Sequence, residues 1–422
     1  MREILKGNII DAPALGQLRV REQGYLLLED GCIRGVCDSV PEDWAGAAVH
    51  DYGDGLIMQS FADMHLHGPQ YPMLGMGMDL PLMDWLDTYT FPVEARFADL
   101  DYARRTYRRL ASDLITNGTT RVCMFSSLHT DATWILMEEL EKAGVTGYVG
   151  KVNMDRNGKP GVLQEETEES IRETIRWLEG CHFEHIKPIL TPRFTISCTD
   201  ELMAALGRIA KERGLYVQSH LSENDQEIAF THELHPDTQR YWETYDKFGL
   251  WKDHTLMAHC VWSDEVERQA IRDAGVVVVH CADSNTNICS GVCPVKLMLN
   301  EGLHVTLGSD ISGGAQLPMY KVIAATIRTS KTRRMLDNWQ SDFLTVEEGY
   351  YLGTTAGHRY FGAGAGFAQG DKLHAIVIND WDFPETAKPL TVQQRFERAI
   401  YMTHRHNIVS VWSEGREVVK RD

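Results

Sequence analysis

Eight short apolar, β-rich runs recur along the chain, and helix-period segments fill the intervals between them. The runs are GLIMQSFADMHLHG, TTRVCMFSS, TGYVGKVNMD, IKPILTPRF, LYVQSHLSE, TLMAHCVW, VVVVHCADSN and VTLGSDISGG. They are near-continuous in Val, Ile and Leu rather than alternating, which is the pattern of parallel strands covered on both faces. The segment LDYARRTYRRLASDLITNG puts Tyr102, Thr106, Leu110 and Leu114 on one helical stripe and stops at Asn117-Gly118. EETEESIRETIRWLEG has acids in its first turn, Ile171, Ile175 and Leu178 on one face, and Gly180 at its end. SDEVERQAIRDAG opens on Ser263 as the expected cap and stops at Gly275. Eight strand–helix units of this kind predict an α/β fold, a (β/α)8 barrel of TIM type over residues 59–367.

The two ends break the alternation. Residues 1–58 and 368–422 read as short strands separated by EDG, GDG and SEG turn signals. They predict a small composite β-sandwich built from both termini and packed beside the barrel.

Composition narrows the function. A net charge of −18 repels phosphate backbones, and no Lys/Arg-rich run offers a local exception, so no nucleic-acid partner is expected. The first residues lack the apolar stretch of a signal peptide, and no window is apolar enough to span a membrane. Nine irregularly spaced cysteines suit reduced thiols, so a cytoplasmic location is expected. Cys289 and Cys293 lack the second Cys pair of a structural zinc site.

In a barrel of this type chemistry sits where strands end. The predicted ends carry His65 and His67, Arg193 and Phe194, His220, His259, His280 and Asp310. Residues two apart on a strand face the same way, so His65 and His67 point together, and strands five and eight aim His220 and Asp310 at the same axis. Three imidazoles and a carboxylate suit zinc or another first-row dication such as Fe2+, one per chain. Such an ion lowers the pKa of a bound water from about 15.7 to about 7. Glu223, three residues past His220, is the candidate proton shuttle. His259 is placed to hold the hydroxide, and Asp310 to accept its proton.

Three look-alike motifs fail. In THELHP the second histidine comes one position early for a zincin helix and is followed by Pro236. His182-Phe183-Glu184 is followed by no P-C-x-x-C. Lys187 stands near the start of strand four, at the wrong end to bridge two metals.

With these residues in order, the chain resembles the amidohydrolase superfamily, mononuclear deaminase branch. The stretches HLHGPQY, DLPLMDWLDTYTFPVEARF, NGTT, HTD, VGKVNMD, KPILTPRF, QSHLSEN, MAHC, SNTNICSG and GSDISGG resemble the members of that branch that act on guanine. That resemblance implies a (β/α)8 barrel with a composite β-sandwich and hydrolysis of guanine to xanthine and ammonia. It implies His65, His67, His220 and Asp310 as metal ligands and Glu223, His259 and Asp310 as catalytic groups. Gln70, Arg193 and Phe194 would hold the base, with His220 and Glu223 against it. It also implies a homodimer. The alternative within the branch is an aminohydrolase or chlorohydrolase for another aromatic heterocycle: an oxidised purine, an adenosine derivative or a triazine. Two departures from the pattern are Ala282-Asp283 after strand seven and His374 near the C-terminal strands.

Overall fold

The computed structural model describes residues 1–421. The chain opens with β1 (Arg2–Ala14), β2 (Gln17–Glu29), β3 (Cys32–Cys37) and β4 (Ala48–Gln59). Next come β5 (Phe61–His67), β6 (Thr119–Phe125), β7 (Thr146–Gly150), β8 (Val152–Asn153), β9 (Ile186–Pro188) and β10 (Thr191–Pro192). They are followed by β11 (Gln218–Leu221), β12 (Leu256–His259), β13 (Val277–His280) and β14 (His304–Leu307). The chain closes with β15 (Ala375–Ile378), β16 (Ile408–Ser413) and β17 (Arg416–Lys420).

β5, β6, β7 and β9 form one four-stranded sheet, and β11 to β14 form another, every pair in both being parallel. Their residues are buried with few exceptions, as expected for strands covered on both faces. Main-chain hydrogen bonds join the two sheets. Gln218 N donates to Leu190 O at 2.9 Å, and Asp310 N donates to His65 O at 2.8 Å. The fold is therefore α/β with parallel sheets and helices in the connections.

The helix Leu100–Thr116 shows how the sequence sets that packing. Asp99 caps it by accepting from the N–H groups of Asp101 and Tyr102. Its buried face runs through Ala103, Tyr107, Leu110 and Leu114. That face is turned slightly from the predicted stripe, and Tyr102 and Thr106 are only half-buried. Helix Glu265–Ala274 is capped by Asp264, which accepts from Glu267 N. Ser263, the expected cap, instead donates to Glu267 Oε1 at 2.6 Å.

Both termini meet in one seven-stranded sheet of order β17-β16-β15-β4-β1-β2-β3. β1 and β2 are long strands of 13 residues each, not the short ones expected. Glu29-Asp30-Gly31 and Ser413-Glu414-Gly415 turn between strands as predicted. Gly53-Asp54-Gly55 does not: it stays inside β4, where the register against β1 slips. The extra residues are absorbed as a bulge rather than a hairpin.

Candidate active site

At the C-terminal ends of β5, β11 and β12, and just past β14, five side chains converge. His65, His67, His220, His259 and Asp310 are all at least nine-tenths buried. Asp310 Oδ1 lies 3.2 Å from His65 Nε2 and 3.4 Å from His67 Nε2. His220 Nε2 lies 3.3 Å from His67 Nε2. Two imidazole nitrogens on one tetrahedral zinc, each at ~2.05 Å, stand roughly 3.3 Å apart. His220 Nδ1 is 2.5 Å from Arg193 O, so that nitrogen donates its proton and leaves the Nε2 lone pair toward the cluster. His65 Nε2, which faces the cluster, is buried with no hydrogen-bond partner. Orphaned ring nitrogens in a dry place are costly unless something accepts their lone pairs. A borderline-hard dication fits this donor set. Burial works against a charged Asp310, but His65, His259 and His67 around it hold the carboxyl far below the usual carboxylate range.

A second layer surrounds Glu223, which follows β11. Its Oε2 lies 3.4 Å from His259 Nε2, and its Oε1 accepts from Ser290 Oγ at 3.0 Å. Burial pushes the Glu223 carboxyl up to about 7, the range a proton shuttle at neutral pH needs. Its backbone is fixed by Glu227, whose Oε2 accepts from Glu223 N at 2.9 Å and Asn224 N at 3.2 Å. Asn224 and Glu227 form a capping box on the helix Asp225–Leu234. Burial disfavours a charged His259, yet the Glu223 and Asp310 carboxylates outweigh that and raise its pKa.

Above the cluster lies a pocket lined by Gln70, Arg193, Phe194 and Glu223, with Trp85 and Ile288 among its apolar walls. Arg193 is not free. Its NH1 and NH2 donate to Glu94 at 2.7 and 3.1 Å, so the guanidinium stays paired whatever occupies the pocket.

Every predicted site residue sits in this region. The structure adds Glu94, Asn285, Ser290, Glu227 and the apolar walls Leu82, Trp85, Leu86 and Ile288. Of these only the Asn224-x-x-Glu227 spacing is a readable signal. His280 is buried with neither ring nitrogen partnered, and it lies outside the donor cluster. Asp283 lies in the first turn of a short helix, Ala282–Asn287, and its Oδ2 accepts from Ala315 N at 2.8 Å, tying this loop to the one that carries Asp310. The look-alike motifs stay apart: His235 contacts Arg156, and Lys187 is exposed and donates to Phe183 O. All nine cysteines are free thiols. Among the described residues no helix is long and apolar enough to cross a membrane.

Residues 56–418 match the amidohydrolase family, and the chain belongs to that family. Its relatives include guanine deaminases. That of Mus musculus is 35% identical, over 86% of this chain and 83% of the relative. That of Escherichia coli (strain K12) is 28% identical, over 96% of this chain and 90% of the relative. A crystal structure of guanine deaminase from C. acetobutylicum with bound guanine in the active site matches with a TM-score of 0.95 at 41% identity. It covers 99% of this chain and all of the other (100%).

Proposed function

We propose that this protein hydrolyses guanine to xanthine and ammonia. The observation that carries the reading is a pocket with Arg193, Gln70 and Phe194 among its walls, set over a four-donor cluster. The guanine-bound relative of the same fold supports it.

In this reading His65, His67, His220 and Asp310 hold one dication, zinc or Fe2+. When bound it supplies Lewis acidity that lowers the pKa of water into the neutral range. Glu223 takes a proton from the attacking water and delivers it to the ring nitrogen beside C2. A new C2–O bond forms, the C2–N bond breaks, and the amine leaves as ammonia with the remaining proton. His259, between Glu223 and Asp310, orients the attacking oxygen. Asp310 Oδ2 faces His259 at 3.8 Å while Oδ1 faces His65 and His67, so one oxygen serves the cation and the other is free to accept a proton. Phe194 packs its apolar face on the base, and Arg193 and Gln70 donate to its polar edge.

The same reading closes the two parallel sheets into a (β/α)8 barrel over residues 59–367, supported by the hydrogen bonds that link β11 to Leu190 and Asp310 to His65. Residues 1–58 and 368–422 form the second domain, as a composite sandwich against the barrel. Nine free thiols suit a reducing cytoplasm, and a homodimer is the expected assembly. The deciding experiment incubates purified, metal-loaded protein with guanine, adenine, adenosine and cytosine and measures ammonia and the product base. Xanthine from guanine alone is expected. Faster turnover of any of the other three overturns the assignment.

A further inference from the structure

Two side chains of the pocket wall, Gln70 and Arg193, share one buried carboxylate that does not itself line the pocket. Glu94, on the helix Phe91–Ala95, is only 1% exposed. Its Oε1 accepts from Gln70 Nε2 at 2.9 Å and from Arg193 NH2 at 3.1 Å, and its Oε2 accepts from Arg193 NH1 at 2.7 Å. Gln70 Oε1 accepts from Ser312 N at 3.0 Å. The amide of Gln70 therefore has one orientation. Its oxygen is needed by a backbone N–H and its nitrogen by a carboxylate, and a flip breaks both bonds. Arg193 is likewise held by a paired fork, with Phe91 5.4 Å from its guanidinium.

Once these bonds are made, the Gln70 amide nitrogen and the Arg193 guanidinium have only N–H donors left to offer a ligand. A wall of donors reads acceptors. It accepts a carbonyl oxygen or an unprotonated ring nitrogen and repels an amine at the same place. We propose that Glu94 is a positioning residue that sets this polarity, and that through it the site selects oxopurines over aminopurines lacking the ring carbonyl. The same segment supplies the apolar walls Leu82, Trp85 and Leu86. This inference rests on the reading of the pocket as a guanine site.

The test compares guanine with 2-aminopurine, which keeps the reactive amine and lacks the carbonyl. kcat/KM is measured for both in the wild type and in Glu94→Gln. Where 2-aminopurine turns over too slowly to follow, its inhibition constant against guanine is used. A neutral amide at 94 carries one acceptor oxygen in place of two and can turn its NH2 toward Gln70 or Arg193, so the hold on both donors weakens. The expected result is a rise in KM for guanine and a fall of at least about tenfold in the preference for guanine, at unchanged metal content. A purely structural role lowers both substrates together. Should Glu94→Gln fail to fold, Glu94→Asp carries the test: the charge stays, the reach shortens, and the same narrowing is expected. An unchanged preference in whichever variant folds overturns the inference while leaving guanine turnover standing. A wild type that does not turn over guanine overturns both.

Discussion

Asn285 Oδ1 lies 2.8 Å from His259 Nδ1, and the opposite nitrogen of that ring faces Glu223 and Asp310. An amide oxygen only accepts, so Nδ1 carries the proton and the ring plane is fixed. Asn285→Ala removes that anchor without touching the four proposed ligands. The expected outcome is a fall in kcat of about 10- to 100-fold, with KM and metal content little changed. Steady-state kinetics beside elemental analysis decides it, and loss of the metal in this variant would contradict the assigned role.

Glu223→Gln keeps the size and the bond from Ser290 but not the proton capacity. Turnover is expected to drop by at least about 10²-fold while the metal stays bound. Near-normal turnover would mean that another group moves the proton.

The donor cluster predicts close to one zinc or iron per chain. Chelation followed by dialysis is expected to abolish activity, and readdition of Zn2+ to restore it. His67→Ala, which takes away the imidazole facing His220, is expected to lose both metal and activity. Two equivalents per chain by elemental analysis would restore a binuclear site.

Acid sensitivity is expected where the terminal sheet meets the parallel sheets. His374 Nδ1 lies 2.9 Å from Thr120 Oγ1, and Nε2 lies 3.0 Å from Glu414 Oε1. Burial, aided by the Arg121 charge, pushes the His374 pKa down to about 4. The hydrogen bond from His374 holds Glu414 down at about 2. Both folded values lie below the unfolded ones, so the unfolded chain binds protons first and stability falls with pH. The His374 contribution is complete above the ordinary histidine value of about 6.5 and is lost as pH drops toward about 4. Glu414 adds its share below about 4.5. In denaturant titrations between those limits, His374→Asn is expected to show a stability slope shallower by up to about 1.4 kcal/mol per pH unit. A slope identical to the wild type would remove His374 as a source.

The alternation of runs and helices was legible because burial on both faces leaves continuous Val/Ile/Leu stretches with few competing interpretations. Ends of elements were harder. The run from Gly55 to Gly68 holds parts of two strands in different sheets, β4 and β5, divided only by Ser60. Apolarity on both sides hides the break. Strand four splits into β9 and β10 around Ile189 and Leu190, next to Pro188, which has no N–H for the ladder. The donor cluster could be anticipated because H-x-H and strand-end position are local properties. Glu94 could not, since its partners Gln70 and Arg193 are brought to it only by tertiary folding.

The partners of β4 lie at opposite ends of the chain. It pairs in parallel with β1 on one side and antiparallel with β15 on the other. During synthesis the first bond ladder can zip early, but Ala375–Ile378 emerges only after everything from Gln59 onward has been made. Until then Leu56, Ile57 and Met58, fully buried in the finished protein, sit on an open strand edge. Such an edge invites pairing with another nascent chain. The order of the strands thus leaves an aggregation hazard created at β4 to be retired by β15, after both parallel sheets have been made.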